Sequence, residues 1–222
     1  MMNISVIGAG YVGLITGIGF AKLNHQVSIV DLNDDLIKNL NENRPPFYEP
    51  ELVDYLNDSN IRNNLFFSTS YQKSINENTD IVFVCVQTPT DPDTGKTKTD
   101  YISSVLTELK KIESFNFIIC IKSTIKATLV EKISNEIDLD YKKIIFNPEF
   151  LREGSAFYDF FNPDRIVIGG SDQIGLNQCT ELYESFDCEK IITDSNSSQM
   201  IKYLSNTYLC LLYTSPSPRD VP

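Results

Sequence analysis

The 222-residue sequence has no tryptophan and a single histidine. Histidine is the usual side chain for proton transfer near neutral pH, and the lone His25 precedes a strand-like run, so we interpret it as structural. The five cysteines form no CxxC pair, which gives no sign of a metal or disulfide framework. Cys85 and Cys120 lie within apolar runs, as small buried residues do. This cysteine usage predicts a reducing compartment, the cytoplasm.

Basic residues are also scarce, since 19 Lys and Arg stand against 30 Asp and Glu and give a net charge of -11. Nucleic acids and anionic membranes need clustered positive charge, so both are excluded as partners. No apolar run approaches the roughly 18 residues that span a bilayer. The residues after Met1 lack the basic and apolar regions of a secretion signal, and we expect a soluble protein.

Short apolar runs alternate with helical patterns along the chain. Continuous apolar runs of this length are typical of strands that are covered on both faces, with helices as the crossovers. The pattern predicts an α/β fold with a doubly wound, mostly parallel sheet. The predicted strands are residues 3–7, 27–30, 81–86, 117–121, 143–146 and 165–168.

A glycine-rich motif, Gly8-Ala9-Gly10-Tyr11-Val12-Gly13, follows the first predicted strand and opens a helical stretch. Glycines at this spacing allow a tight turn and a close approach of the backbone to a pyrophosphate, whose charge the helix N-terminus favours. A carboxylate, Asp31, ends the second strand, where it can accept hydrogen bonds from the adenosine ribose. We therefore predict a Rossmann-like domain that binds NAD through Gly8, Gly10, Tyr11, Val12, Gly13 and Asp31. An acid at position 31 favours NAD over NADP, because it would repel the 2'-phosphate of NADP.

Further motifs follow in order over nearly the whole chain. They are Phe47–Pro50, Thr88–Thr90, Lys122–Thr124, Asn147–Gly154, Asn162–Arg165 and Lys202–Asn206. Together with the glycine motif they resemble the signatures of the UDP-glucose/GDP-mannose 6-dehydrogenase family. The segment Asn147–Gly154, which reads NPEFLREG, is the most specific of them.

The resemblance implies a four-electron oxidation of the C6 alcohol of a nucleotide sugar to a carboxylate. In this family two NAD act in succession, and a cysteine forms a thiohemiacetal and then a thioester between the two oxidations. The implied partners are UDP-glucose or GDP-mannose and further copies of the protein, as a homodimer or higher homo-oligomer.

The resemblance also implies roles for individual residues. Glu149 would act on the water that hydrolyses the thioester, and Thr124 would help to place water and cofactor. Lys202 and Asn206 lie four residues apart, so both can point from one helix face at an oxygen that gains negative charge. The residues implied on the substrate side are Glu149, Phe150, Leu151, Arg152, Lys202 and Asn206. Those implied near NAD are Val86, Thr88, Ser123, Thr124 and Glu153.

The expected organisation is an NAD-binding domain over 1–195 and, over 196–209, the start of a long connecting and dimerisation helix. Residues 210–222 depart from the helical pattern and resemble a translated sequencing adapter, so we interpret them as non-native. None of Cys85, Cys120, Cys179 and Cys188 has the glycine-rich context of the family nucleophile. We therefore expect the nucleophilic cysteine downstream, and this chain to be inactive alone.

Three alternatives stay open. GDP-mannose 6-dehydrogenase shares nearly every motif. A two-electron hydroxyacid or hydroxyacyl dehydrogenase shares the glycine motif but has no need of Glu149 within NPEFLREG. A non-catalytic NAD-sensing module would require a partner or DNA-binding domain, and the acidic charge disfavours the latter.

Overall fold

The computed structural model describes residues 1–112 and 116–215. The described chain forms one eight-stranded sheet in the order β3-β2-β1-β4-β5-β6-β7-β8, and all neighbouring strands are parallel except β6 and β7. The predicted doubly wound, mostly parallel sheet is therefore confirmed. The strands are β1 (Asn3–Ile7), β2 (Gln26–Val30), β3 (Leu65–Ser68), β4 (Ile81–Val84), β5 (Ile118–Ile121), β6 (Ile144–Phe146), β7 (Arg165–Gly169) and β8 (Glu189–Thr193).

Helices connect the strands, and a 3₁₀ turn at Tyr141–Lys143 leads into β6. The helices are α1 (Tyr11–Lys22), α2 (Asp34–Asn41), α3 (Leu52–Asn57), α4 (Ser59–Arg62), α5 (Tyr71–Ser74), α6 (Asp100–Lys110), α7 (Ala127–Glu136), α8 (Ala156–Phe161), α9 (Gln173–Leu182) and α10 (Ser195–Thr214).

Both faces of the sheet are covered by apolar packing. Helices α1, α3, α8 and α9 contribute to the larger core on one face, and α5, α6 and α7 to the core on the other. Phe20 of α1 lies at the centre of the larger core, with ring centroids 5.5 Å from Phe83, 5.2 Å from Phe160 and 5.5 Å from Tyr183. This aromatic cluster joins α1 to the middle of the sheet and to α8.

Two strands that the apolar runs did not predict, β3 and β8, form the two edges of the sheet. The sequence of β8, EKIIT, mixes polar and apolar side chains, as in a partly covered edge strand, whereas the apolar run of β3, LFFS, is only three residues long. Phe66 in β3 is 47% exposed and Ile192 in β8 is 50% exposed. A search for continuous apolar runs finds central strands and misses such edges.

Strands β7 and β8 run antiparallel to the other six strands, and this changes the direction of the helix that follows them. Only Phe146 and Gly169 pair across β6 and β7, so β7 begins beyond the carboxyl end of β6. Helix α10 packs against β7, where a Cβ on Gly169 would lie 2.2 Å from Ser198 Oγ. Near its middle, Ser205 Oγ lies 3.3 Å from the Arg165 guanidinium at the start of β7. Helix α10 therefore runs back toward the carboxyl edge of the parallel strands.

Helix α10 also differs from the prediction at its far end. Asp194 caps its start, accepting hydrogen bonds from the amides of Asn196 and Ser197. The helix continues to Thr214, so the predicted break of the helical pattern at Cys210 is wrong. Leucine has a high helix propensity, and the segment 209–212 is rich in it. The remainder of the proposed non-native tail, residues 216–222, lies outside the described residues.

None of the helices described is both long enough and apolar enough to cross a bilayer.

We expect Phe20→Ala to lower the free energy of unfolding by about 3–5 kcal/mol, because it leaves a cavity in the aromatic cluster. Phe66→Ala removes the same ring from a half-exposed edge position and should cost about 1 kcal/mol or less. Urea unfolding followed by circular dichroism measures both changes. Equal losses for the two variants would contradict the assignment of Phe20 to the centre of the core.

Candidate functional site

The glycine motif lies at the point where the strand order reverses. Strands β2 and β3 extend from β1 in one direction, and β4, β5 and β6 extend from it in the other. In sheets of this kind, ligands bind in the crevice beyond the carboxyl ends of the two strands that flank the reversal. Here those strands are β1, followed by Gly8, and β4, followed by Cys85.

Gly8 and Gly13 of the motif allow close packing of the backbone around them, whereas Gly10 has open space beside it. Gly8 has a φ of +100°, and a Cβ on it would lie 2.8 Å from the Cys85 carbonyl oxygen. A Cβ on Gly13 would lie 1.8 Å from the Gly8 carbonyl oxygen. A Cβ on Gly10, in contrast, would meet no atom within 4 Å. The backbone at Gly10 and the start of α1 are thus open to a ligand, and no acidic side chain stands in the first turn to repel a phosphate.

Asp31 lies beside this opening. Its Oδ2 accepts a hydrogen bond from the Ala9 amide at 2.9 Å, and its Oδ1 accepts one from the Asn33 amide at 3.0 Å. A carboxylate has about four acceptor sites, so two are left for ribose hydroxyls. The geometry of Gly10 and Asp31 therefore fits a dinucleotide with its pyrophosphate over α1 and a ribose at the end of β2.

The predicted NAD contacts after β4 and β5 are also brought together. The Ser123 hydroxyl donates to the Val86 carbonyl at 2.6 Å, and the Thr88 hydroxyl donates to the Thr124 carbonyl at 2.9 Å. These bonds join the two loops on the opposite side of the crevice from Asp31. Glu153 is exposed on the loop that carries the NPEFLREG motif, apart from these four residues.

A cleft of about 610 Å³ adjoins the crevice, lined by residues from the NPEFLREG loop, from the start of β7 and from α10. Glu149 and Lys202 form an ion pair in it, with Nζ 2.9 Å from Oε1. The other Glu149 oxygen accepts a hydrogen bond from the Leu151 amide at 2.7 Å. All six predicted substrate residues line this one cleft, namely Glu149, Phe150, Leu151, Arg152, Lys202 and Asn206.

Cations flank the Phe150 ring at the cleft wall. The Arg165 guanidinium lies 4.6 Å and the Lys202 ammonium 5.2 Å from the ring centroid. Arg152 extends along the rim and forms an ion pair with Asp159 at 2.6 Å. Of these three cations, Lys202 and Arg152 are paired with carboxylates, whereas Arg165 forms no ion pair in the described chain and its charge is available to an anionic ligand.

Tyr11 links the glycine motif to the cleft loop. Its hydroxyl lies 3.0 Å from Glu49 Oε2 and 3.1 Å from the Arg152 carbonyl oxygen. Burial, together with the hydrogen bond to Glu49, raises the pKa of Tyr11 well above its usual range. The hydroxyl is therefore a neutral donor at physiological pH.

Two of the buried thiols are poor nucleophiles, because the reactive form is the thiolate. Burial raises the pKa of Cys85 to about 12 and that of Cys120 well above its ordinary value. In the described ranges no cluster of three or more His, Cys, Asp or Glu side chains could hold a metal ion.

Glu49 and Lys122 belong to recognised motifs, but no role was predicted for either of them. Lys122 is 6% exposed and lines the cleft, and its ammonium donates to Asn147 Oδ1 at 3.0 Å. No carboxylate in the described chain forms an ion pair with it. The Thr16 hydroxyl, which also lines the cleft, has no hydrogen-bond partner among the described residues. A buried cation without a counter-ion is costly. The available signal in the sequence was a lysine directly after the apolar run Ile118–Ile121.

We expect Lys122→Met to leave the free energy of unfolding unchanged or to raise it by about 1 kcal/mol, because methionine fills a similar volume without the desolvation cost. Asn147 Oδ1 keeps its hydrogen bond from the Tyr183 hydroxyl at 2.6 Å. The control is Lys126→Met at an exposed position, which should change stability by about 0.5 kcal/mol or less. Chemical unfolding that shows Lys122→Met destabilised by more than about 2 kcal/mol would assign the lysine a structural role.

The chain is similar to UDP-glucose and GDP-mannose dehydrogenases of known sequence or structure. A UDP-glucose 6-dehydrogenase of Bacillus subtilis (strain 168) is 35% identical over 216 residues, which are 94% of this chain and 48% of that protein. The solved UDP-glucose dehydrogenase of Pyrobaculum islandicum is 33% identical with a TM-score of 0.86, over 95% of this chain and 50% of that one. The GDP-mannose dehydrogenase of Pseudomonas aeruginosa, solved as a ternary complex, is 27% identical with a TM-score of 0.88, over 96% and 51%.

The chain therefore spans about half the length of the relatives it matches. The pattern of the UDP-glucose/GDP-mannose dehydrogenase family, NAD binding domain, matches residues 2–187. This match confirms NAD as the predicted cofactor, and the chain belongs to the UDP-glucose/GDP-mannose dehydrogenase family.

Proposed function

We propose that this chain is the NAD-binding part of an enzyme that oxidises C6 of UDP-glucose to the carboxylate of UDP-glucuronate. The observation that carries the proposal is the Glu149–Lys202 pair, which lies in a cleft beside the dinucleotide crevice. NAD, when bound, accepts a hydride in each of the two oxidations. The overall change consumes water and two NAD, and it releases two NADH and protons.

The residues of the cleft suit the proton and charge changes of this reaction. The Lys202 ammonium has three donors, of which Glu149 takes one, so the others can hold a substrate oxygen that gains negative charge. Asn206 lies one turn further along α10 and also lines the cleft, where its amide adds a second donor. Glu149 can accept a proton from a water that attacks the substrate. Thr124, in the loop after β5, is proposed to help place that water and the cofactor.

The other cleft residues suit binding rather than proton transfer. Phe150, Leu151 and Arg152 are proposed to contact the nucleotide sugar. Val86, Thr88, Ser123 and Glu153 are proposed to approach NAD, together with Gly8, Gly10, Tyr11, Val12, Gly13 and Asp31.

We further propose that residues 1–195 form the NAD-binding domain and that residues 196–209 of α10 are the start of a connecting and dimerisation helix. Its exposed Leu204 and Tyr208 would then be buried against a second copy in a homodimer or larger homo-oligomer. The nucleophilic cysteine is proposed to lie outside these 222 residues. Residues 210–222 are proposed to be non-native.

Cytoplasmic action is proposed from the state of the cysteines. They form no CxxC pair, and Cys85, Cys120 and Cys179 are small residues buried in the core. Such cysteine usage is typical of a reducing compartment.

GDP-mannose is the alternative substrate, favoured by the close structural likeness to the GDP-mannose dehydrogenase of Pseudomonas aeruginosa, with its TM-score of 0.88. The two sugars are separated by measuring NADH formation with each, in a protein that extends this chain to the length of its relatives.

In that longer protein we expect about two NADH per UDP-glucose. Glu149→Gln should lower kcat by a factor of about 10²–10⁴, because it removes the proton acceptor. The control is Glu184→Gln, an exposed acid two residues beyond the end of α9, which should leave kcat unchanged. Absence of NADH with either sugar, or full activity of Glu149→Gln, would contradict the proposal.

A further inference from the structure

Glu49 is a carboxylate that is almost completely buried and accepts hydrogen bonds from three separate groups. It is 3% exposed and lies in the segment between α2 and α3. Its Oε1 accepts from the Ala156 amide at 2.8 Å, and its Oε2 accepts from the Gly154 amide at 2.9 Å and from the Tyr11 hydroxyl at 3.0 Å. No lysine or arginine of the described chain forms an ion pair with it. These three hydrogen bonds thus replace those that the carboxylate would make to water if it were exposed.

The three donors belong to the two halves of the site. Tyr11 is the first residue of α1, directly after Gly10, where the dinucleotide is proposed to lie. Gly154 and Ala156 end the loop that begins at Glu149 and carries the proposed substrate contacts. Gly154 has a φ of +87°, so the loop turns sharply at the position that Glu49 holds. One side chain therefore joins the cofactor end of the site to the substrate end.

The other side-chain attachments of the loop lie to either side of the Glu49 contacts, where Lys202 pairs with Glu149 and the Ser155 hydroxyl donates to Asp159. Arg152 bonds to Asp159 through its side chain and its amide, and Glu149 bonds to the Leu151 amide within the loop itself. The Tyr11 hydroxyl has one proton, which it shares between Glu49 and the Arg152 carbonyl oxygen. A small shift at the start of α1 therefore changes the contacts of the loop directly.

We propose that Glu49 is a positioning residue that couples occupation of the dinucleotide crevice to the order of the loop from Glu149 to Ser155. The coupling rests on the proposed binding of NAD at Gly10. Contacts that a bound dinucleotide stabilises at Tyr11 are passed through the Glu49 carboxylate to the amides of Gly154 and Ala156. By linkage, an ordered loop in turn tightens dinucleotide binding by the same factor.

Hydrogen exchange of the Gly154 and Ala156 amides, measured by NMR with and without saturating NAD, tests the coupling. In the wild-type chain we expect NAD to slow their exchange by about fivefold or more. In Glu49→Gln this ratio should fall to about one, because a glutamine has a single acceptor oxygen and its NH₂ group would face an amide donor. Saturation with NAD removes any effect of altered affinity from the comparison.

Two further variants keep the result interpretable. Tyr11→Phe leaves both backbone bonds of Glu49 in place, so exchange without NAD should stay close to wild type while the NAD effect is lost. Glu51→Gln is the matched control at an exposed neighbouring position and should keep the full NAD effect. A purely structural role for Glu49 would raise exchange in both states of Glu49→Gln and leave the ratio unchanged.

The proposal is overturned if Glu49→Gln and Tyr11→Phe retain the wild-type ratio, or if the wild-type ratio is one although NAD binds. Binding itself is read from the amide signals of Gly10 and Gly13. No change in those signals would refute the proposed binding of NAD, and the coupling with it, so the two failures are distinguishable.

Discussion

The contact of α1 with the carboxyl ends of β1 and β4 is the constraint on which the rest of the structure depends. A Cβ on Gly13 would lie 1.8 Å from the Gly8 carbonyl oxygen, and one on Gly19 would lie 2.3 Å from the Phe160 ring. The helix can therefore lie against the sheet at one end and against α8 at the other. Its start then faces the crevice, and the Tyr11 hydroxyl reaches Glu49 and the cleft loop. The proposed dinucleotide crevice and the cleft lined by Glu149 and Lys202 share this helix as a common wall.

The reversed strands β7 and β8 supply the second half of the cleft. A helix that follows a parallel strand runs away from the carboxyl edge, where the ligands of such sheets lie. Because β7 is antiparallel to β6, α10 runs toward that edge and brings Lys202 within 2.9 Å of Glu149. The change of strand direction thus determines this contact, since a fully parallel sheet would leave Glu149 without Lys202 as its partner.

The sequence predicted the centre of the sheet and the glycine motif because both obey strong local rules, namely continuous apolar burial and the need for glycine at close contacts. It failed at β3, whose apolar run is only three residues long, and at β8, where Glu189 and Lys190 interrupt the apolar pattern, and it ended the helical pattern of α10 too early. It could not predict that Glu149 pairs with Lys202, which depends on the reversal of β7. The role of Glu49 was equally hidden, because its three donors come from distant parts of the chain.

We propose that the open backbone at Gly10 receives the NAD pyrophosphate, and a comparison of Gly10→Ala with the wild-type chain tests this placement. A Cβ at Gly10 meets no protein atom within 4 Å, so stability should change by about 1 kcal/mol or less, while the methyl group occupies the space of the ligand. Titration calorimetry should then show NAD binding to the wild type and at least about tenfold weaker binding to a folded Gly10→Ala. Equal affinity for NAD in the two proteins would contradict the account.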